Sequence, residues 1–155
     1  MVYFLDMITI QDGTGKIRAT FPLSVNVLLT KEEKFLLLKR ANTSWMNGFY
    51  NFPAGHVEEG ESPKQSVVRE LAEELGITVL IEDVVYQQTI FRSGQNDDMA
   101  RIDLVFIVER WQGDPHVQED TSDKTLWVDQ DTFPENVVPT VMSILNSKVV
   151  YQERI

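Results

Sequence analysis

Cysteine is absent from the 155 residues. Its absence removes disulfide frameworks, thiolate nucleophiles and cysteine-based zinc sites together, and it fits a cytoplasmic location. Histidine is scarce: His56 and His116 are the only two, too few for a His-rich metal centre. Positive charge is also in short supply, with 14 Lys and Arg against 24 Asp and Glu and a formal charge of −10. A chain that holds nucleic acid by its phosphates shows a basic face, so no nucleic-acid polymer is expected as a partner. No apolar run is long enough to cross a bilayer, and no membrane partner is expected either. The opening MVYFLDMITI lacks a basic n-region and carries Asp6 inside its apolar stretch, so it reads as a strand rather than a signal peptide. What is present, 43% apolar and 25% charged residues, suits one globular domain over residues 1–155. No repeat or linker divides it, and a homodimer is compatible with this composition.

The densest signal lies between Gly55 and Ile77. Ser62 suits a helix N-cap, Pro63 the first helical position, and Gln65 falls at capping-box spacing. Gly76 follows the last apolar position, where a left-handed C-cap residue belongs. On the helix these residues predict, Glu70, Glu73 and Glu74 fall within roughly 100° of arc, while Val67, Val68, Leu71 and Leu75 gather on another side. Glu70 and Glu74 stand in the unfavourable like-charge i,i+4 relation, and no Lys or Arg separates the three. Solvated surface is the ordinary explanation of an acidic triplet. The alternative is a hard divalent cation such as Mg²⁺, which prefers oxygen ligands.

Gly55, Glu61, Arg69-Glu70-Leu71, Glu73-Glu74 and Gly76-Ile77 stand at the spacing of the Nudix box, and the segment resembles it at every defining position. The resemblance implies that Glu70, Glu73 and Glu74 hold metal against a diphosphate. It also implies that Gly55, Glu61, Arg69 and Gly76 shape the box, Arg69 being paired to the first glutamate. A backbone carbonyl near Ala54 or Gly55 is expected to complete the metal shell, with Mg²⁺ as cofactor and Mn²⁺ as substitute. One more acid from a later loop often serves as ligand or base in this family; Glu119 is the first candidate and Asp120 the second. Either Glu74 or Glu119 would take the proton from water, with Glu73 beside them.

Around this core the chain reads as strands. Met1–Gln11 and the residues after Asp12-Gly13-Thr14-Gly15 suggest a hairpin. Thr20–Thr30 and Lys34–Arg40 suggest two strands, and alternation sets Ser24 and Asn26 opposite Val25 and Val27. That strand lines the pocket in the Nudix fold, which makes Asn26 a candidate contact to the substrate base; a solvated sheet face is the competing reading. Ala41–Phe52 is expected to be a loop. Its Trp45, Phe49 and Tyr50 could stack on a base, although such a loop also needs apolar anchors, and core packing leads. Thr78–Ile81, Val84–Arg92, Arg101–Arg110 and Thr125–Val128 are strand-like, Ser93–Ala100 is a polar tip, and Val138–Ser147 is a second helix.

These elements predict an α/β domain, which the resemblance sharpens to a mixed β-sheet sandwiched between α-helices. The implied activity is metal-dependent hydrolysis of the P–O–P bridge in a nucleoside diphosphate linked to X, a nucleoside triphosphate first among substrates. ADP-ribose, another nucleotide sugar or a dinucleoside polyphosphate is the alternative within enzymes. A nucleotide sensor is the alternative outside them, and the intact carboxylate set argues against it. Relatives that clear oxidised purine triphosphates hold the base with a Trp-Pro-Asp-Asp segment. The comparable Val138-Pro139-Thr140-Val141 lacks the indole and both acids, which predicts weak preference for an oxidised base.

Overall fold

The computed structural model describes residues 9–11, 13–92, 100–146 and 151–154. Among these run β1 (Thr9–Gln11), β2 (Ile17–Ala19), β3 (Leu23–Lys31), β4 (Lys34–Arg40), β5 (Tyr50–Asn51) and β6 (Ala54–His56). They are followed by α1 (Pro63–Leu75), β7 (Val85–Arg92), β8 (Arg101–Val108), β9 (Ser122–Asp129), α2 (Pro139–Asn146) and β10 (Tyr151–Arg154). β1 and β2 form a separate antiparallel pair. The main sheet runs β10-β7-β8-β3-β4-β5, with β6 also on β3 and β9 also on β4.

β3 is the hub. It runs parallel to β8 from Leu23↔Ile102 to Leu29↔Val108, but it pairs with β4 only at Thr30↔Phe35 and Lys31↔Lys34. Beyond those two pairs the strands part, β3 taking β6 as its neighbour and β4 taking β9 and β5. This fork opens the sheet beside α1.

Strand alternation explains the continuous apolar reading of FLLL. Leu36 and Leu38 face one core with Val25, Val27, Leu29 and the α1 residues Val67, Leu71 and Leu75. Phe35 and Leu37 face a second core with Phe52, Ile90, Val105 and the α2 residues Val141 and Ile144. One helix therefore covers each face, which is the mixed, helix-flanked sheet expected.

Four elements differ from expectation. Thr78–Ile81 is no strand: Thr78 makes a single bridge to Gln112, and Ile81–Asp83 is a 3₁₀ turn. Its apolar residues anchor a connection, with Ile77 and Val79 buried while Leu80 is exposed. β3 begins at Leu23 rather than Thr20, after Pro22, which has no N–H for a ladder. The expected loop Ala41–Phe52 contains β5, and β10, parallel to β7, lies beyond the last element expected. Residues 1–8, most of the polar tip (93–99, with Asp97 and Asp98), and Ser147 lie outside the described residues.

Candidate active site

The local signals at α1 act as their chemistry dictates. Ser62 Oγ accepts from the Gln65 N–H at 3.3 Å, and Gln65 Oε1 accepts from the Ser62 N–H at 2.7 Å, closing the capping box. Gly76 ends the helix at φ 66°. A methyl there would also stand 2.3 Å from the end of the Gln118 side chain, which would have to move, but the left-handed conformation is what demands glycine. The loop after Trp111 is tied to this helix end: His116 N–H donates to Leu75 O at 3.1 Å and Gln118 N–H to Glu74 O at 3.0 Å. Those two bonds satisfy carbonyls the helix leaves open and set Glu119 beside the carboxylate face.

Arg69 is the brace. Its Nη2 and Nε donate to Glu61 at 2.7 and 3.1 Å, and Nη2 also reaches His56 O at 2.9 Å. Its Nη1 donates to Glu70 at 2.7 Å and Glu73 at 3.0 Å. Hydrogen bonding from Arg69 holds the Glu61 carboxyl down to about 2, and Glu61 in return raises the guanidinium further above its ordinary value.

Gly55 has a reason that sequence alone did not show. Sequence favours a small residue there for backbone approach to metal or phosphate. The structure instead lays Glu70 across it: a Cβ on Gly55 would lie 1.8 Å from Glu70 Oε1. Ala54 belongs to β6, and its N–H donates to Glu74 Oε2 at 3.1 Å. The bonds Val27 N–H to Pro53 O and Val57 N–H to Leu23 O set the ladder so that Gly55 faces β3 and Ala54 faces away. Of the two carbonyls, that of Ala54 is the one turned out of the ladder.

Burial pushes the Glu70 carboxyl up, against the pull of Arg69. Burial, then the charge of Glu70, pushes Glu74 well above the usual carboxylate range, and Glu119 adds repulsion at both. Glu70, Glu74 and Glu119 therefore share one electrostatic neighbourhood, with Glu73 more exposed at its rim. Among the described residues no three acidic or His side chains close around a single point. Glu70 and Glu73 turn to Arg69 and Glu74 to the Ala54 N–H, which relieves their mutual repulsion. The donor set, all oxygen and pressed together against its own electrostatics, fits a hard divalent cation.

Glu74, Ala54 and Gly55 line one side of a cavity of about 740 Å³. Asn26 faces it and is buried, rather than lying on a solvated sheet face. Trp45 also lines it, 46% exposed, with the Arg40 guanidinium 5.0 Å from its ring centroid. Phe49 does not line it; with Tyr50 it packs on the second core, the apolar-anchor role. Asp120 is exposed, its carbonyl accepting from Asn42. Sequence reading missed Arg40, Asn51, Arg92, Arg101 and Asp103, all in the lining, which Thr140 of the Val138–Val141 segment also joins. Asp103 within IDLVFIV was the available signal, a charge in an otherwise buried strand.

A family model described as NUDIX domain matches residues 20–145. An 8-oxo-dGTP diphosphatase of Escherichia coli (strain K12) is 35% identical over 102 residues, 63% of this chain and 72% of that protein. An ADP-ribose pyrophosphatase of Methanocaldococcus jannaschii is 29% identical over 102 residues, 65% of this chain and 58% of that one. Among solved structures, the MutT NUDIX hydrolase of Burkholderia pseudomallei superposes with a TM-score of 0.76 at 21% identity, covering 84% of this chain and 99% of that one.

Proposed function

The chain belongs to the NUDIX family of hydrolases, and from that premise we propose that it cleaves the P–O–P bridge of a nucleoside diphosphate linked to X, a nucleoside triphosphate first. The observation that carries this reading is Glu74 beside the Ala54–Gly55 backbone on the wall of a nucleotide-sized cavity, with Glu70 laid across Gly55 behind it. Glu70, Glu73 and Glu74, with the Ala54 carbonyl and Glu119, would hold Mg²⁺ or Mn²⁺. Bound there, the cation offsets charge on the phosphate oxygens and makes water a better nucleophile at neutral pH.

The chain's own groups do the rest. Arg69 fixes the backbone of β6 against α1 through His56 O and Glu61, so the carboxylate wall keeps its shape. Arg40, which lines the cavity with its Nε on the Trp45 carbonyl, meets the phosphate chain. Water attacks one phosphorus, the bridging P–O bond breaks, and the water proton passes to Glu74 or Glu119. In the cation-free site burial raises the Glu74 carboxyl, the direction that favours proton uptake. Trp45, at the mouth, offers a stacking face for the base.

A nucleotide panel assayed with Mg²⁺ and Mn²⁺ tests this. A nucleoside monophosphate should appear, EDTA should abolish the reaction, and Glu73→Gln or Glu74→Gln should each lower kcat by about a hundredfold or more. Tight binding without turnover across the panel would instead favour a sensor.

A further inference from the structure

β4 and β9 pair in regular antiparallel register from Lys34↔Asp129 to Lys39↔Lys124, and then the register slips so that Arg40 meets Ser122. Asp123 is the residue left over, a β-bulge whose carboxylate lies 3.5 Å from Lys39 Nζ. A bulge re-aims the chain beside it, and here the chain beside it leads back to Glu119. Pairing does not stop at the bulge. Ala41 N–H donates to Thr121 O at 2.8 Å, and the Asn42 side-chain amide donates to Asp120 O at 2.9 Å.

That last rung is made by a side chain because the backbone has already turned away. Asn42 has φ 54°, in the left-handed region. Asparagine enters that region readily and also brings an N–H₂ donor; aspartate shares the conformation without the donor, and glycine has no side chain. Packing does not ask for this arrangement, since Asn42 and Asp120 are both exposed. Left-handed residues other than glycine gather where a site needs them.

Both rungs grip the turn that carries Glu119. Ser122 N–H donates to Glu119 O at 3.3 Å, closing the turn over Asp120 and Thr121, and Thr121 Oγ1 donates to Glu119 Oε2 at 3.2 Å. On the other side Gln118 N–H is fixed to Glu74 O at 3.0 Å. Glu119 therefore hangs between the end of α1 and the loop that begins at Ala41. A carboxylate that takes a proton from water must lie within hydrogen-bond reach of it, and a misplacement of about 1 Å can cost about a hundredfold.

We propose that Asn42 is a positioning residue: its amide, carried on a left-handed backbone, holds the Asp120 carbonyl and so sets Glu119 against the carboxylate face of α1. The proposal rests on the role given to Glu119 above and adds the side chain that fixes its place. Holding Trp45 is the competing role, because the same loop ties the Trp45 carbonyl to Arg40 Nε and Thr43 Oγ1, each at 3.1 Å.

The test is Asn42→Gly, which keeps the left-handed conformation and removes only the amide. With the best-cleaved nucleotide of the panel and Mg²⁺, kcat should fall by about tenfold or more while KM stays within about threefold. In a Glu119→Gln background the same substitution should change kcat by less than about twofold, because the two residues act as one unit. In the cation-free protein, the Ala41 and Ser122 amides should exchange about threefold faster or more, as loss of one hydrogen bond allows. Native kcat in Asn42→Gly, losses that multiply in the double variant, or unchanged exchange at both amides would overturn the proposal. A change carried by KM would assign Asn42 to Trp45 instead. Native kcat in Glu119→Gln would remove the Glu119 role and this proposal, leaving the hydrolase reading on Glu70 and Glu74. Absence of turnover across the whole panel would strike the hydrolase reading itself, and the proposal with it.

Discussion

At Gly55 the absence of a side chain is what lets Glu70 lie against the β6 backbone. Gly55→Ala should therefore displace the Glu70 carboxylate, lowering kcat by about a hundredfold, as loss of a key electrostatic group does. The melting temperature should fall by only a few degrees, because Gly55 sits in an ordinary strand conformation; kinetics and a thermal melt on one preparation check both. Titration separates the acids in the same way. Glu70 and Glu74 are raised by burial, so each favours folding below its unfolded value near 4.3 and loses that contribution as pH rises through its folded value. Glu61, held near 2, behaves oppositely and loses its contribution as pH falls toward 2. The cation-free protein should accordingly melt higher near pH 5 than near pH 8, and Mg²⁺ or Mn²⁺ should raise the melting temperature more at pH 8. Equal metal-induced shifts at the two pH values would count against burial as the cause. The glutamate face was legible in sequence because helical periodicity needs only spacing. Asp103 was not, because its pairing with Arg92 and Ser24 depends on which strands lie side by side.

Single elements were readable where local chemistry decides them. α1 shows this at both ends, with Ser62, Pro63, Gln65 and Gly76 each in its expected place. Ser62→Ala should cost about 1 kcal/mol by removing the cap, which denaturant unfolding would register as a lower midpoint with an unchanged slope. The turn between β3 and β4 is Glu32-Glu33 alone, since Lys31 still pairs with Lys34, and its conformation was not foreseen. Glu32 and Glu33 both take positive φ, 51° and 61°, which L side chains adopt reluctantly. Replacing them with Asn-Gly should raise stability by about 1 kcal/mol, measured by the same unfolding experiment, with activity unchanged because the turn is absent from the cavity lining. Thr78–Ile81 shows the limit of composition: β-rich residues without a partner strand make an anchored connection, not a strand.

The fork of β3 away from β4 and the order of strands are properties of the whole molecule, invisible to periodicity because they pair residues far apart in sequence. Leu23–Leu29 meets Ile102–Val108 across more than seventy residues, and Tyr151–Arg154 closes the sheet against Thr89–Arg92. Removing residues 151–155 should speed amide exchange at Thr89–Arg92 and, by loosening Arg92, raise KM for nucleotide more than it lowers kcat. The carboxylate wall has a kinetic consequence at this scale as well. Glu70, Glu74 and Glu119 crowd the site, and even with a cation offsetting them the molecule as a whole, formally −10, stays strongly negative, so a polyanionic nucleotide diffuses inward against a repulsive field. Most charge-guided encounters slow as salt screens their attraction. This one should do the opposite: with the divalent cation held saturating, the bimolecular capture rate should climb as KCl rises from about 10 to 150 mM, the range over which the screening length shrinks from about 30 to 8 Å.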